Sequence, residues 1–244
     1  MYIIIPMAGE GKRFQIHGIK QPKYELLVRE KTIFEWAIMS FKKFYNQKFI
    51  FIIKPGVKIF VRRQCEKMRI LNYRIIELQN TTDGQATSVL YGIQKINDTA
   101  PLLIHNIDTY INPNVFLPNL IQKKFDGWIL LFRAPGSHWS FAQRMKNGRV
   151  TEVSEKVRIS EFASSGTYFF RSKKIYEQAY YDAILETKEK YKEAYIMPLY
   201  NSLIKRKFYI SSSLIELNNI IPLGTPEEVL NFDHTFQERY KLKF

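Results

Sequence analysis

The chain has 244 residues, 45% hydrophobic and 25% charged, which is a globular composition long enough for a sizeable core in one large α/β domain or two small ones. No run approaches the roughly 20 apolar residues of a membrane helix, and residues 1–6 lack the length and basic lead of a secretion signal, so they read as a buried first strand. Cys65 is the single cysteine, which excludes an intrachain disulfide or a cysteine-based zinc site and points to a reducing, cytoplasmic setting. The net charge of +14, from 37 basic against 23 acidic residues, favours anionic partners. The basic residues are scattered rather than run together, so phosphorylated small molecules are expected ahead of nucleic acid or a membrane surface.

Taken in chain order, five nearly continuous apolar runs read as strands covered on both faces: Tyr2–Ile5, Lys48–Lys54, Arg74–Leu78, Leu102–Asn106 and Trp128–Phe132. Helical patterns fill the gaps. Thr32 to Glu35 forms a capping box ahead of an apolar stripe of Ile33, Ala37, Phe41 and Phe44. Val57–Ile70, Ala86–Ile96 and Pro113–Lys123 read as the next helices. Such alternation predicts a Rossmann-like α/β sheet, mixed but mainly parallel and flanked by helices, with ligands beyond the carboxyl ends of the strands. After residue 136 the pattern changes to antiparallel strands at Phe141–Met145, Arg149–Ser154 and Gly166–Arg171, with Asn147-Gly148 as a hairpin turn. A long charged helix is expected from Ser172 to Lys205, then short strands at Phe208–Leu217 and a last helix from Pro226. The expected division is a nucleotide-binding core (1–135), an acceptor-binding part with the remaining strands (136–225) and a C-terminal helix (226–244), within one compact domain.

The segment after the first strand carries the most chemistry: Met7, Ala8, Gly9, Glu10, Gly11, Lys12 and Arg13. Two glycines one residue apart let backbone N–H groups close around an anion, and Lys12 and Arg13 add cationic donors. It is neither the dinucleotide fingerprint nor a Walker loop, and a glycine pair alone would equally suit an ordinary βα turn. Downstream, Pro22 fixes the backbone before Lys23, which can reach the same phosphates. Asp108 follows an apolar strand, where a lone carboxylate suits Mg²⁺ or is simply a solvated strand-end acid. His105, inside that strand, reads as structural.

Gly9-x-Gly11-x-Arg13 followed by Pro22-Lys23 resembles the signature of the sugar-phosphate nucleotidylyltransferase superfamily. The resemblance implies a Rossmann-like sheet with a small antiparallel acceptor-binding subdomain. It implies a loop that wraps a nucleoside triphosphate, an arginine (Arg13) on the leaving pyrophosphate, and a lysine (Lys23) on the reacting phosphates. Gln79, Asp83, Gly84 and Gln85 resemble the base-recognition segment, Gln79 and Gly84 falling on its base-reading positions; Asp83 also suits a helix N-cap. Asp108 matches the acid that binds catalytic Mg²⁺. Glu155-Lys156 with Gly166-Thr167 resembles the acceptor-binding stretch, although an exposed Glu-Lys pair on a hairpin is common.

One position departs from the family. An aspartate that often stands two residues before Gly-Thr-Pro, as a second metal ligand, is replaced by Pro222 ahead of Gly224-Thr225-Pro226. Either Asp108 holds the metal alone, or Glu216 or another acid substitutes. The short length resembles the compact capsule- and choline-type cytidylyltransferases. That likeness implies CTP, and phosphoglutamine or a similar metabolite of capsular polysaccharide modification, as substrates. A hexose-1-phosphate uridylyl- or thymidylyltransferase and a catalytically silent nucleotide- or RNA-binding relative are the alternatives. The silent relative is expected to have lost Arg13, Lys23 or Asp108, and all three are present.

Overall fold

The computed structural model describes residues 1–122 and 124–242. β1 (Tyr2–Pro6) leads into the short helix α1 (Lys12–Ile16), a ribbon of β2 (Leu27–Val28) and β3 (Lys31–Thr32), and α2 (Ile33–Met39). The expected capping box starts α2: the Glu35 N–H donates to Thr32 Oγ1 and the Thr32 N–H donates to the Glu35 carboxylate. Strand and helix then alternate through β4 (Lys48–Ile53), α3 (Lys58–Lys67), β5 (Tyr73–Glu77), α4 (Gln85–Gly92) and β6 (Leu102–His105), with a short β7 (Thr109–Ile111). After β8 (Gly127–Arg133), β9 (Ser140–Arg144) and β10 (Val150–Glu155) form the hairpin expected at Gly148, whose φ of +87° suits glycine. β11 (Phe162–Phe170), α5 (Lys173–Tyr191), α6 (Leu199–Lys205), β12 (Ile210–Ile215), β13 (Ile220–Pro222), α7 (Pro226–Phe232) and α8 (Phe236–Tyr240) complete the chain.

The fold class is α/β, as expected from the alternation. β1 lies centrally, parallel to β4 and β6, and β5 continues the parallel half beside β4. β11 enters antiparallel between β6 and β8, while β9 and β10 extend from it and β12 adds parallel to β8. The nine-stranded sheet therefore takes strands from both sides of residue 135. Along β1, successive side chains feed opposite faces: Ile4 packs under α4, α5 and α6, whereas Ile3 and Ile5 pack against α2 and α3. A third cluster joins Phe14, Leu26, Val28 and Ile33 to Val229 and Phe236, clamping the C-terminal helices onto the glycine-loop side.

Three expectations change. The helix at Pro113–Lys123 does not form over the described residues; only a 3-10 turn, Pro118–Leu120, is present, and Lys123 lies outside the described residues. Pro118 removes an N–H from mid-run and holds Leu117 extended, at φ −108° and ψ 147°. The helix expected from Ser172 to Lys205 is two helices, broken at Lys192, which adopts φ +60°. The strand at Arg74–Leu78 is the sheet's edge and only partly covered: Ile75 and Ile76 pack half-buried on opposite faces, while charged Arg74 and Glu77 are exposed along it. The stripe of Ile33, Ala37, Phe41 and Phe44 is buried throughout, but α2 ends before Phe41 and the stripe feeds two different clusters.

Candidate active site

The glycine loop follows β1 and Asp108 follows β6, and Lys23 meets Asp108 between them. Met7 and Ala8 are buried under the loop, and the Met7 N–H donates to the Ile52 carbonyl, so the loop leaves the sheet from a fixed point. Gly9 and Glu10 are exposed. Gly11 has φ +71°, in the left-handed region that favours glycine, and lies beside the Lys23 side chain, which an added Cβ would touch at an ordinary 3.5 Å. Glu10 and Lys12 pair with each other at 2.9 Å in solvent, and Arg13 is exposed in the first turn of α1. Its field reaches Asp108, Glu155 and Glu228.

Pro22, at φ −55°, sets up the 3-10 turn that carries Lys23 inward. Lys23 Nζ donates to Asp108 Oδ2 at 2.6 Å, across 85 residues of sequence, and both side chains are about one-fifth exposed. Burial opposes the Asp108 charge, but Lys23 and then Arg13 outweigh it and hold the carboxyl below its ordinary range. Asp108 is itself fixed by backbone: its carbonyl accepts from the Leu223 N–H at 2.7 Å, and β7 pairs with β13 so that Thr109 lies opposite Pro222.

That pairing puts the Gly224-Thr225-Pro226 turn directly against Asp108. Gly224 fits because a Cβ there would come within 3.0 Å of Asp108 Oδ2 and 3.3 Å of Glu228 Oε2. The acid facing Asp108 is therefore Glu228, not Glu216, which is exposed at the end of β12. Glu228 Oε2 accepts from the Gly224 and Thr225 N–H groups, closing a second capping box. Burial, and then the Asp108 charge, raise the Glu228 carboxyl above its ordinary range. Two hard carboxylates around a cradle that one Cβ would fill form a donor set suited to Mg²⁺.

His105 is fully buried, with Nδ1 on Thr167 Oγ1 and Nε2 on the Thr109 carbonyl, and burial lowers its pKa to about 4. It is a neutral strut, as the sequence suggested. Thr167 is consequently sealed in the sheet, while Gly166, at φ +76°, lies flat against the Asn106 side chain. Asn106 escaped the sequence reading although it stands two residues before Asp108. Its N–H donates to the Gly166 carbonyl, and its Oδ1 accepts from Gln85 Nε2 at 2.6 Å.

In the base-recognition segment, Gln79 is exposed at the end of β5. Asp83 does not cap α4; Gly84 holds the N-cap position, and Asp83 pairs instead with Lys188 at 2.5 Å. Gly84 packs against Ala194, where a Cβ would fall 2.5 Å from the Ala194 nitrogen. Of the acceptor residues, Glu155 is buried, with its carboxylate accepting from Ser140 Oγ, and burial raises its carboxyl above the usual range. Lys156, at φ +55°, stands exposed and donates to Tyr195 Oη at 2.5 Å. Tyr195 and Ala194 carry no motif that would have drawn attention to them. Among the described residues no helix is long and apolar enough to cross a membrane.

The family model described as "Nucleotidyl transferase" matches residues 3–207. A nucleoside-diphosphate-sugar pyrophosphorylase from Vibrio cholerae RC9 is 33% identical, with a TM-score of 0.86 over 94% of this chain and 98% of that one. An inositol-1-phosphate CTP transferase from T. maritima superposes with a TM-score of 0.76 at 12% identity, over 97% of this chain and 96% of the other. A glucose-1-phosphate thymidylyltransferase from Bacillus anthracis, itself so assigned only provisionally, gives 0.75 at 14% identity, over 98% and 96%. No curated protein sequence matches at significance.

Proposed function

Since the chain belongs to the nucleotidyl transferase family, we propose that it transfers a nucleoside monophosphate from a nucleoside triphosphate, CTP by preference, to a small phosphorylated metabolite and releases pyrophosphate. The observation that carries this reading is the convergence of Lys23, Asp108 and Glu228 below the Gly9–Gly11 loop, with Arg13 on the same side. Cations and metal-type carboxylates meet there beyond the strand ends, where α/β sheets bind ligands. Phosphoglutamine is the acceptor favoured by the sequence likeness to compact capsule-type cytidylyltransferases. A hexose-1-phosphate with UTP or dTTP is the second reading, favoured by the sugar pyrophosphorylase at 33% identity.

The chemistry is an in-line displacement. An acceptor phosphate oxygen bonds to the α-phosphorus while the bond to pyrophosphate breaks. The acceptor oxygen is already ionised, so no general base is required. The neutral, doubly bonded His105 accordingly supports the strand and transfers no proton. Arg13 and Lys23 offset the charge of the triphosphate and the departing pyrophosphate, and positioning with electrostatic stabilisation supplies the rate. Asp108 and Glu228 would hold Mg²⁺, which when bound neutralises the phosphates and polarises the α-phosphoryl group. Gln79 and Gly84 read the base, with Asp83 and Gln85 beside them in the same nucleotide-binding segment, and Lys156 neutralises the acceptor phosphate.

The test is pyrophosphate release from CTP, UTP, dTTP, ATP and GTP with Mg²⁺, against phosphoglutamine, phosphocholine and hexose-1-phosphates. We expect release with CTP and phosphoglutamine. Release only with UTP or dTTP and a hexose-1-phosphate would select the second reading. Failure of every triphosphate to bind the folded protein would refute both.

A further inference from the structure

The break between α5 and α6 has a local and a tertiary cause. Pro198 has no N–H to offer the Ala194 carbonyl and so bars a continuous helix, and the chain turns at 193–195 because Ala194 is hydrogen-bonded elsewhere. Its N–H donates to the Asp83 carbonyl at 2.9 Å, and its carbonyl accepts from the Ala86 N–H at 2.8 Å. The second bond satisfies a donor at the start of α4 that no side chain caps. Gly84, between those two residues, lies in contact with Ala194 and has no room for a Cβ. The Lys188–Asp83 pair reinforces the clasp from the last turn of α5. The turn is anchored below by Ala194, Ile196 and Met197, all buried in the core.

One residue further, the same turn reaches the other side of the cleft. Tyr195 Oη accepts from Lys156 Nζ at 2.5 Å, and the ammonium lies 4.7 Å from the Tyr195 ring centroid. Lys156 is otherwise an exposed side chain just past the end of β10, with its backbone held by its N–H bond to the Trp139 carbonyl. Two adjacent residues, Ala194 and Tyr195, thus connect the turn at 83–86 to the lysine at 156.

We propose that Tyr195 is a positioning residue that aims Lys156 at the acceptor phosphate, and that the turn at 193–195 couples triphosphate binding to acceptor binding. This rests on the assignment of residues 83–85 to the base and Lys156 to the acceptor given above. The physical reason is that Ala194, bonded to residues 83 and 86, is adjacent to Tyr195, bonded to Lys156, so a shift of one carries the other. Closure of residues 83–86 on a base sets the position of Ala194, hence of Tyr195, hence of the lysine. By linkage, an anion on Lys156 must in turn favour the closed position of residues 83–86.

The test is calorimetric titration of CTP, UTP and dTTP with Mg²⁺ into wild type, Tyr195→Phe and Tyr195→Ala, with and without saturating inorganic phosphate as the acceptor-site probe. In wild type, phosphate should tighten binding of the preferred triphosphate about fivefold or more, the lower range of measured couplings. In Tyr195→Phe, which keeps the ring and loses the hydroxyl, the enhancement should vanish while affinity for the triphosphate alone stays within about twofold of wild type. In turnover assays, the same variant should raise the acceptor KM and leave kcat nearly unchanged. Absence of the enhancement in wild type that binds a triphosphate, or its survival in both variants, would overturn the coupling and leave the nucleotidyl transfer reading standing. Absence of any triphosphate binding would overturn both.

Discussion

At Asp108 burial and attraction pull in opposite directions, and the geometry shows which prevails. A partly buried carboxylate would resist charging, but the Lys23 ammonium 2.6 Å away keeps it ionised. Asp108→Asn removes the charge with little change in shape. Turnover should fall by about a hundredfold or more, the scale of losing one electrostatic contact to a transition state, while circular dichroism stays native. Near-wild-type activity would remove Asp108 from the mechanism. His105 gives a pH prediction of definite sign. Its folded pKa of about 4 lies below the ordinary value of 6.5, so between these the unfolded chain binds a proton that the folded chain does not. Its contribution is complete above pH 6.5 and is lost as pH falls toward 4, by up to about 3 kcal/mol. Urea midpoints of wild type should decline across that window, and those of His105→Gln should decline less. The roles proposed for Lys23 and Asp108 were legible because each follows a local signal, a proline and a strand end. Asn106 and Glu228 were not, since each is placed by the other end of a long-range pairing.

Among the elements, those with chemical start signals were readable. Thr32 and Thr225 each head a capping box, and both helices begin there. Thr225→Ala should cost about 1 kcal/mol, read from the urea midpoint. It should also loosen Glu228 beside Asp108, because Thr225 Oγ1 accepts from the Glu228 N–H and that bond is lost. A larger loss of turnover than of stability would show that this turn serves the site as well as the fold. The break between α5 and α6 was half readable: Pro198 bars a continuous helix, whereas the turn at Lys192 is placed by the bonds of Ala194 to Asp83 and Ala86. At the absent helix near Pro118 the proline was visible too, and the apolar period misled.

Across the whole molecule, the charge of +14 creates a field that attracts anions of any kind. Contacts to the phosphates of RNA depend on released counterions, so any RNA binding should collapse between low and moderate salt. Triphosphate binding at the Lys23–Asp108 site should instead depend mainly on Mg²⁺. A filter-binding series in salt, with and without Mg²⁺, separates the two, and salt-resistant RNA binding would revive the nucleic-acid alternative. At this scale the sequence by itself determined the α/β class, most strands of the sheet and the glycine loop with its lysine, because apolar period, turn residues and caps act within a few residues of one another. Only the tertiary structure decided that β11 enters antiparallel beside β6, that Glu228 rather than Glu216 faces Asp108, and that Tyr195 meets Lys156. Those relations depend on which strands pair and on where distant turns pack, and burial of the whole core sets them rather than any local preference.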